Sequence, residues 1–347
     1  MGRSRTLARN LAEYVPARLM ASVARCFSPQ RNQATADVAA KVYAAACPTR
    51  TARAKHNIMQ SWPELTEQQA HARAVASTQY LFRLALVDAI AMDRFIQPNC
   101  WWKHVDMSDV APAVDVLHGD KPTILLTGHM GNWELLGYTL SMLGLKLNAL
   151  ARPLNNELMN RWLLGIRQSW GMRIITKFGA APEMQAILER GEHLAFIADQ
   201  NAGPRGVFVP FFGRLASAYK SIGLLAITQN IPIVVAGAFR TGPGVQYHAH
   251  VQEVITPDMW ADKDNPLYWV TARYTWALEQ LVRRYPEQYL WIHRRWKSRP
   301  PHEDKGKSMP AGLERRIRSL DWLSDADHDA IIKRSLIAAG VLRHEAA

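Results

Sequence analysis

The chain has 347 residues, 48% of them apolar and 21% charged, and its 42 Lys and Arg outnumber its 30 Asp and Glu by a formal +12. This composition belongs to a folded protein; it excludes wholesale disorder, and Gly and Pro without periodicity exclude a collagen-like chain. The three cysteines, Cys26, Cys47 and Cys100, form neither a CxxC pair nor an even framework, which points to a reducing compartment. The length suits one large α/β domain with appended helices as well as it suits two domains.

Taken in chain order, the first element is an apolar stripe, Leu7, Leu11, Val15, Leu19, Val23 and Phe27, with arginines at 9, 18 and 25 between. Pro16 would break one long helix but suits the first turn of a helix from about 16 to 27. Such a stripe fits a helix lying in a membrane interface, or one packed on the protein's own core. Residues 34–47 and 65–95 read as helices, the second carrying Tyr80, Leu81, Leu84, Val87 and Ile90. From about 122 the texture changes to short apolar runs alternating with helical patterns. Strands are expected at Thr123–Thr127, Lys146–Leu150, Arg173–Thr176, His193–Ala198, Ile231–Phe239 and Val245–Val254. Helices are expected at Trp133–Leu143, Glu157–Ser169, Pro182–Arg190, Lys220–Gln229 and Leu267–Arg284. This alternation predicts an α/β fold: a central mixed, mostly parallel sheet flanked by helices, with N-terminal helices before it. Gly242-Pro243-Gly244 reads as a hairpin turn, and the charged tail beyond 303 as a small helical hairpin. The expected division is an amphipathic, membrane-associating segment over 1–30, the α/β domain over 31–302 and the tail over 303–347.

No window of 18 residues is continuously apolar. The chargeless run from Ser221 to Phe239 contains Gln229, Asn230 and Pro232 and reads as a buried helix and strand. The N-terminus lacks the core of a signal peptide. A cytosolic protein, or one lying on a membrane surface, is expected. The charge is uneven: residues 1–60 hold ten basic groups against two acids, and residues 281–310 eight against three. Such ends suit an anionic partner, or simply a solubilising surface.

The sharpest chemical segment is Thr123-Ile-Leu-Leu-Thr-Gly-His-Met-Gly-Asn-Trp-Glu134. It places His129 in a strand-to-helix turn and Glu134 in the first helical turn. A carboxylate beside one imidazole nitrogen fixes the tautomer and leaves the other nitrogen as an acceptor. That is half of a triad without its own nucleophile, suited to deprotonating a substrate hydroxyl. Gly131 permits close approach and Asn132 can cap the helix. Arg152 follows one strand and is placed to grip a phosphate. Asp199 and Gln200 follow another, at the edge where α/β sheets bind ligands. Trp291-Ile-His-Arg-Arg-Trp-Lys297 gathers Arg294, Arg295 and Lys297 around two indoles. Read singly, each of these also fits a salt bridge, a turn or a rim residue. There is no HExxH, GxSxG, P-loop or dinucleotide fingerprint, and no histidine spacing for a metal.

In order and spacing, HMGNWE, ARPLNN, ADQNAG, VPFFG and HRRWK resemble the bacterial lipid A late acyltransferases, the lauroyl and myristoyl transferases, over roughly residues 10 to 300. These are relatives of the glycerolipid acyltransferases with their H-x4-(D/E) motif. The resemblance implies a glycerolipid-acyltransferase-like fold and transfer of an acyl chain from an acyl carrier protein or coenzyme A thioester to a hydroxyl on a glycolipid, most often a lipid A precursor. It implies His129 as general base, Glu134 orienting it, direct attack without an acyl-enzyme, and no metal or redox cofactor. Gly131, Asn132, Arg152, Asp199, Gln200, Arg294, Arg295 and Lys297 would be substrate-binding, with Arg152 on a phosphate. The partners implied are an acyl carrier protein, the glycolipid and an anionic membrane surface, at the cytoplasmic face of the bacterial inner membrane. The N-terminal segment is shorter and more arginine-rich than the hydrophobic anchors common in the family, so peripheral attachment is expected. The alternative is a non-catalytic lipid- or carrier-binding protein on the same fold. A nucleic-acid binder rests on the charge alone and is not expected.

Overall fold

The computed structural model describes residues 6–342 apart from Trp170, Lys177 and Phe178, and only the backbone of residues 89–91. Arg3 and Arg5 of the basic N-terminal stretch, and residues 343–347 of the tail, lie outside the described residues.

Among the described residues five helices come first: α1 (Leu7–Ala24), α2 (Pro29–Ala46), α3 (Pro48–Ser61), α4 (Glu67–Arg83) and α5 (Ala89–Phe95), with a π turn at Leu84–Asp88 between the last two. Their starts are written locally. Ser28 accepts the Arg31 N–H ahead of Pro29, and Thr66 and Gln69 form a reciprocal capping box. The π turn faces Asp88 inward, where it pairs with the buried Arg240 and the Tyr247 hydroxyl. The remainder runs β1 (Val105–Asp109), α6 (Ala111–Leu117), β2 (Ile124–Thr127), α7 (Trp133–Met142), β3 (Leu147–Ala151), α8 (Glu157–Gln168), β4 (Arg173–Thr176), α9 (Ala180–Glu189) and β5 (His193–Ile197). Then come β6 (Val207–Phe211), β7 (Arg214–Ala218), α10 (Lys220–Gln229), β8 (Ile233–Arg240), β9 (Tyr247–Ile255) and α11 (Pro266–Arg284), and in the tail α12 (Pro301–Asp304), α13 (Ala311–Arg318) and α14 (Asp325–Ala338).

The seven-stranded sheet has the order β1-β9-β8-β2-β5-β3-β4. The run from β8 to β4 is parallel, β9 folds back antiparallel on β8 through the expected Gly242–Gly244 turn, and β1 lies parallel to β9. The alternation of strand side chains splits the core in two. Ile124, Leu126, Leu194 and Val235 pack toward α3, α4, α10 and α11. Leu125, Leu147, Val234 and Ala236 face α6 and α7. β8 is buried at every residue, as a central strand covered on both faces should be. The α/β architecture with helices before and after the sheet is the one expected.

Several elements differ from expectation. The N-terminal helix starts at Leu7 and passes through Pro16 rather than beginning there. Pro16 and Ala12 are exposed, so the carbonyl deprived of its N–H partner is not buried, and the usual cost of an interior proline falls. The apolar stripe of α1 does not pack on the core: Leu7, Leu11, Val15, Leu19, Val23 and Phe27 are all exposed, Leu19 at 61%. Helix α3, strand β1 and the separate β6–β7 hairpin were not expected. The buried stripe of α3 is narrow and largely polar (Thr51, Ala54, Ile58, Ser61), and Pro210 interrupts the pattern of β6. No described helix is long and apolar enough to cross a membrane.

Candidate active site

The site forms where β2 and β5 end side by side. Their parallel register pairs Thr127 with Ile197, and the Ala198 N–H donates to Thr127 O at 2.8 Å, so the residues two beyond each strand, His129 and Asp199, become neighbours. The turn carrying His129 is clamped from both sides. Gly131 N–H donates to Gln288 O, Leu290 N–H to His129 O, and Asn132 N–H to Ala238 O at 2.6 Å. Gly131 has φ +54°, and a Cβ there would sit 2.1 Å from Ala238 O. Only glycine lets this turn cross β8 so closely. The buried Asn132 side chain caps α7 by accepting the Leu135 N–H at 2.9 Å. Both residues, expected to bind substrate, serve the turn.

His129 Nδ1 lies 2.8 Å from Asp199 Oδ1. The Asp199 side chain is fully buried; the His129 side chain is 19% exposed. Burial alone would raise the Asp199 carboxyl, but the adjoining imidazole, by charge and hydrogen bond, holds it below the ordinary carboxylate range. For His129 burial works toward the neutral ring, and Asp199, with Glu134 adding its charge, outweighs it and raises the imidazole. With Nδ1–H donating to the carboxylate, Nε2 is left as the acceptor, and the Gln200 amide approaches it at 3.3 Å. The rings of Trp133 and His293 flank the imidazole, with centroids at 5.1 and 4.9 Å. Burial, and then the charge of His129, keeps the His293 imidazole below its ordinary value. Among the described residues no hydroxyl or thiol hydrogen-bonds the His129 ring.

Glu134, expected beside His129, lies instead against Arg167. Arg167 Nε donates to Glu134 Oε2 at 2.7 Å, its Nη2 donates to Oε1, and the Trp133 indole donates to the same oxygen at 3.1 Å. Glu134 is the second residue of α7, its carboxylate is taken by Arg167 and the Trp133 indole, and the orienting contact falls to Asp199. Arg167 sits in the last turn of α8 and has no local sequence signal; only the fold brings it to Glu134.

The other candidates divide. Arg295 is buried, donates to Ser217 O at 2.5 Å and Gln200 O at 3.4 Å, and lies over the Phe211 ring. It ties the Asp199–Gln200 loop to the β6–β7 hairpin, and desolvation lowers its guanidinium from the ordinary value. Asn201 and Ser298 exchange two hydrogen bonds and pin the same loop from the other side. Arg294 and Lys297 are exposed, as is Arg152 just beyond β3, and no ion pair engages these three among the described residues. No group of His, Cys, Asp and Glu among the described residues is arranged to hold a metal ion.

Beside Glu134 and Arg167 an apolar cleft of about 70 Å³ runs between α7 and the sheet, lined by Leu126, Gly137, Leu140, Leu147, Met172 and Phe196. The arrangement is therefore a raised, carboxylate-oriented imidazole at the carboxyl ends of parallel strands, next to an apolar slot.

A family model described as bacterial lipid A biosynthesis acyltransferase matches residues 6–298. A lipid A biosynthesis palmitoleoyltransferase of Escherichia coli is 29% identical over 157 residues, 44% of this chain and 48% of its own length. A lipid A biosynthesis lauroyltransferase of the same organism is 28% identical over 155 residues, 43% and 48% of the two chains. Lipid A biosynthesis acyltransferase 2 of Shigella flexneri is 24% identical over 212 residues, 60% and 64% of the two chains. The chain thus spans about half the length of the first two of these relatives. A family match from the first helix to the end of the basic Trp291–Lys297 stretch makes this chain a member of the bacterial lipid A biosynthesis acyltransferase family.

Proposed function

We propose that the chain moves a fatty acyl group from an acyl carrier protein thioester, or a coenzyme A thioester, to a hydroxyl of a lipid A precursor. The observation that carries this reading is the His129–Asp199 pair, which leaves Nε2 as the acceptor, approached among the described residues by the Gln200 amide alone, next to the Trp133 ring that also lines the apolar cleft. His129 Nε2 removes the proton of the acceptor hydroxyl as its oxygen bonds to the thioester carbonyl carbon. The tetrahedral adduct expels the thiolate, and the imidazolium returns the proton to sulfur. Base, acceptor and thioester supply every atom, and no acyl-enzyme forms. The Gln200 amide marks where the hydroxyl would sit. A positioned base contributes roughly 10²–10⁴-fold, and alignment of the two substrates contributes at least as much.

The apolar cleft would receive the acyl chain. Each buried methylene contributes about 0.8 kcal/mol, so two carbons shift preference by roughly tenfold. Exposed Arg152 fits a phosphate of the acceptor, and Arg294 and Lys297 fit an acidic carrier or anionic lipid. The exposed stripe of α1 with Arg9 and Arg18 suits peripheral attachment to an anionic leaflet, the cytoplasmic face of the inner membrane in this reading. Each such arginine would add roughly 1 kcal/mol.

The test is an acyl-transfer assay in detergent micelles with mixed acyl carrier protein thioesters and a lipid A precursor, read by mass spectrometry. Wild type should give a product one acyl unit heavier and His129→Ala none. Folded wild type that binds the acyl donor yet forms no product on this or other glycolipids would overturn the reading and leave a binding protein.

A further inference from the structure

Beyond the family match, residues 301–342 carry three helices. Helix α14 packs on the β6–β7 hairpin through Ile331 and Ile332, and His302 of α12 meets the Ser335 hydroxyl. Between α14, the end of α3 and the hairpin lies a cavity of about 650 Å³, remote from His129. Its polar wall is cationic: Arg214 from the hairpin, Arg299 from the segment after the indoles, and Lys333 and Arg334 from α14. Gln60 and Ser335 add neutral polar groups, and Met59, Pro63, Leu215 and Ile337 supply an apolar part of the wall.

The three arginines differ in what holds them. Arg299 donates through Nε to Glu303 and through Nη1 to Leu215 O, both at 2.7 Å. Arg334 donates to Phe212 O at 3.0 Å and to Gln60 of α3. The Arg214 guanidinium lies over the Trp296 ring at 4.9 Å, and its side chain forms no hydrogen bond or carboxylate ion pair among the described residues. Among the described residues the carboxylate that acts on Arg214 is Glu303, and it is already spanned by Arg299 and the Ser335 hydroxyl. Burial, then the charges of Arg299 and Arg334, lowers the Arg214 guanidinium to about 10. A cation so placed is short of a counter-charge, and a fork of five donors with no carboxylate is a recogniser without its anion.

We propose that this cavity binds the phosphate of an amphiphilic phosphate ester, with Arg214 as the principal contact, Arg334 and Lys333 completing the anion site, and the apolar wall taking the ester's body. Two or more charges on the anion match three guanidiniums facing one carboxylate; a single carboxylate ligand would not. Because α12 and α14 supply Glu303, Lys333, Arg334 and Ile337, the site exists only where the tail is present. It stands independently of the acyl-transfer reading, since none of its residues touches His129 or Asp199.

The test is isothermal titration of the full chain with inorganic pyrophosphate and, separately, with dihexanoyl phosphatidic acid below its micelle concentration. Saturable binding of either is expected. Binding of pyrophosphate alone identifies a free phosphate ligand, and tighter binding of the lipid identifies a headgroup. Arg214→Gln should weaken binding at least tenfold with the unliganded melting temperature unchanged or higher, because it removes a cation facing two others. Should Arg214→Gln fail to fold, Arg214→Lys keeps the charge, loses the fork and should still weaken binding severalfold. No saturable heat with either ligand, or equal affinity in a folded Arg214 variant, would overturn the proposal.

Discussion

Asp199→Asn is the sharpest perturbation of the site. The change keeps the shape of a fully buried side chain and removes the charge that sits 2.8 Å from His129 Nδ1. Two effects follow. The amide can donate to Nδ1 and force the proton onto Nε2, the nitrogen needed as base, and the developing imidazolium loses its counter-charge. Loss of an orienting carboxylate from a histidine base costs about 10³–10⁴ in kcat, or about 4–5 kcal/mol of barrier. The pH profile carries a second signature. A base must be neutral, so activity falls as pH drops through the His129 pKa. Asp199 raises that pKa against a burial effect that lowers it, so Asp199→Asn should move the acidic limb to lower pH. Glu134→Gln is the matching control, since Glu134 is engaged by Arg167 and reaches His129 only through its charge. It should stay within about tenfold of wild type in kcat, which is about 1.4 kcal/mol. Steady-state rates from pH 5 to 9 on both variants read all of this. Glu134→Gln as inactive as His129→Ala, with Asp199→Asn within tenfold of wild type, would refute the reasoning.

Other perturbations probe the frame. Gly131→Ala should cost at least about 2 kcal/mol by urea denaturation, because a left-handed φ and a Cβ driven against Ala238 O act together. Asp88→Ala should cost about 3–5 kcal/mol, since it strands the buried Arg240 guanidinium; an unchanged urea midpoint would show that Tyr247 suffices. Leu19→Glu should leave the melting temperature unchanged and reduce co-sedimentation with anionic vesicles by at least about tenfold, removing roughly 1.5–3 kcal/mol of apolar burial. Undiminished binding would show that the stripe is not the attachment surface.

Much of the fold is legible because a parallel sheet writes its strands as continuous apolar runs. Ile124–Thr127 and Ile233–Arg240 are such runs, bounded by polar or proline-bearing turns and too short for buried helices. What stays hidden is what lacks a periodic apolar signature: the half-polar face of α3, and a hairpin built from Val207–Phe211 and the small residues of β7. The site shows the same divide. His129 is marked by its own turn, but the carboxylate nearest in sequence is not the one nearest in space. Asp199 reaches it because Thr127 and Ile197 share a register, and Arg167 reaches Glu134 across two helices. Asp199, Gln200 and Arg295 stand out in the sequence as residues, while their contacts with one another are a property of the folded chain.

Helix α8 touches both ends of the proposed machine. Its N-cap, Asn156, donates to Asn10 O and to Glu13 of α1, and its Trp162 meets Tyr14 edge-on and lies under Arg18. Its last turn carries Arg167, which grips Glu134 in the first turn of α7, the helix that follows the His129 turn. Twelve residues at 1.5 Å each make a rod about 18 Å long. On a bilayer, the depth at which α1 settles would therefore fix the height of the reacting imidazole above the lipid, as a gantry fixes the height of its tool. Inserting one helical turn into α8 would change that reach by about 5.4 Å, the span of roughly four methylenes of an acyl chain.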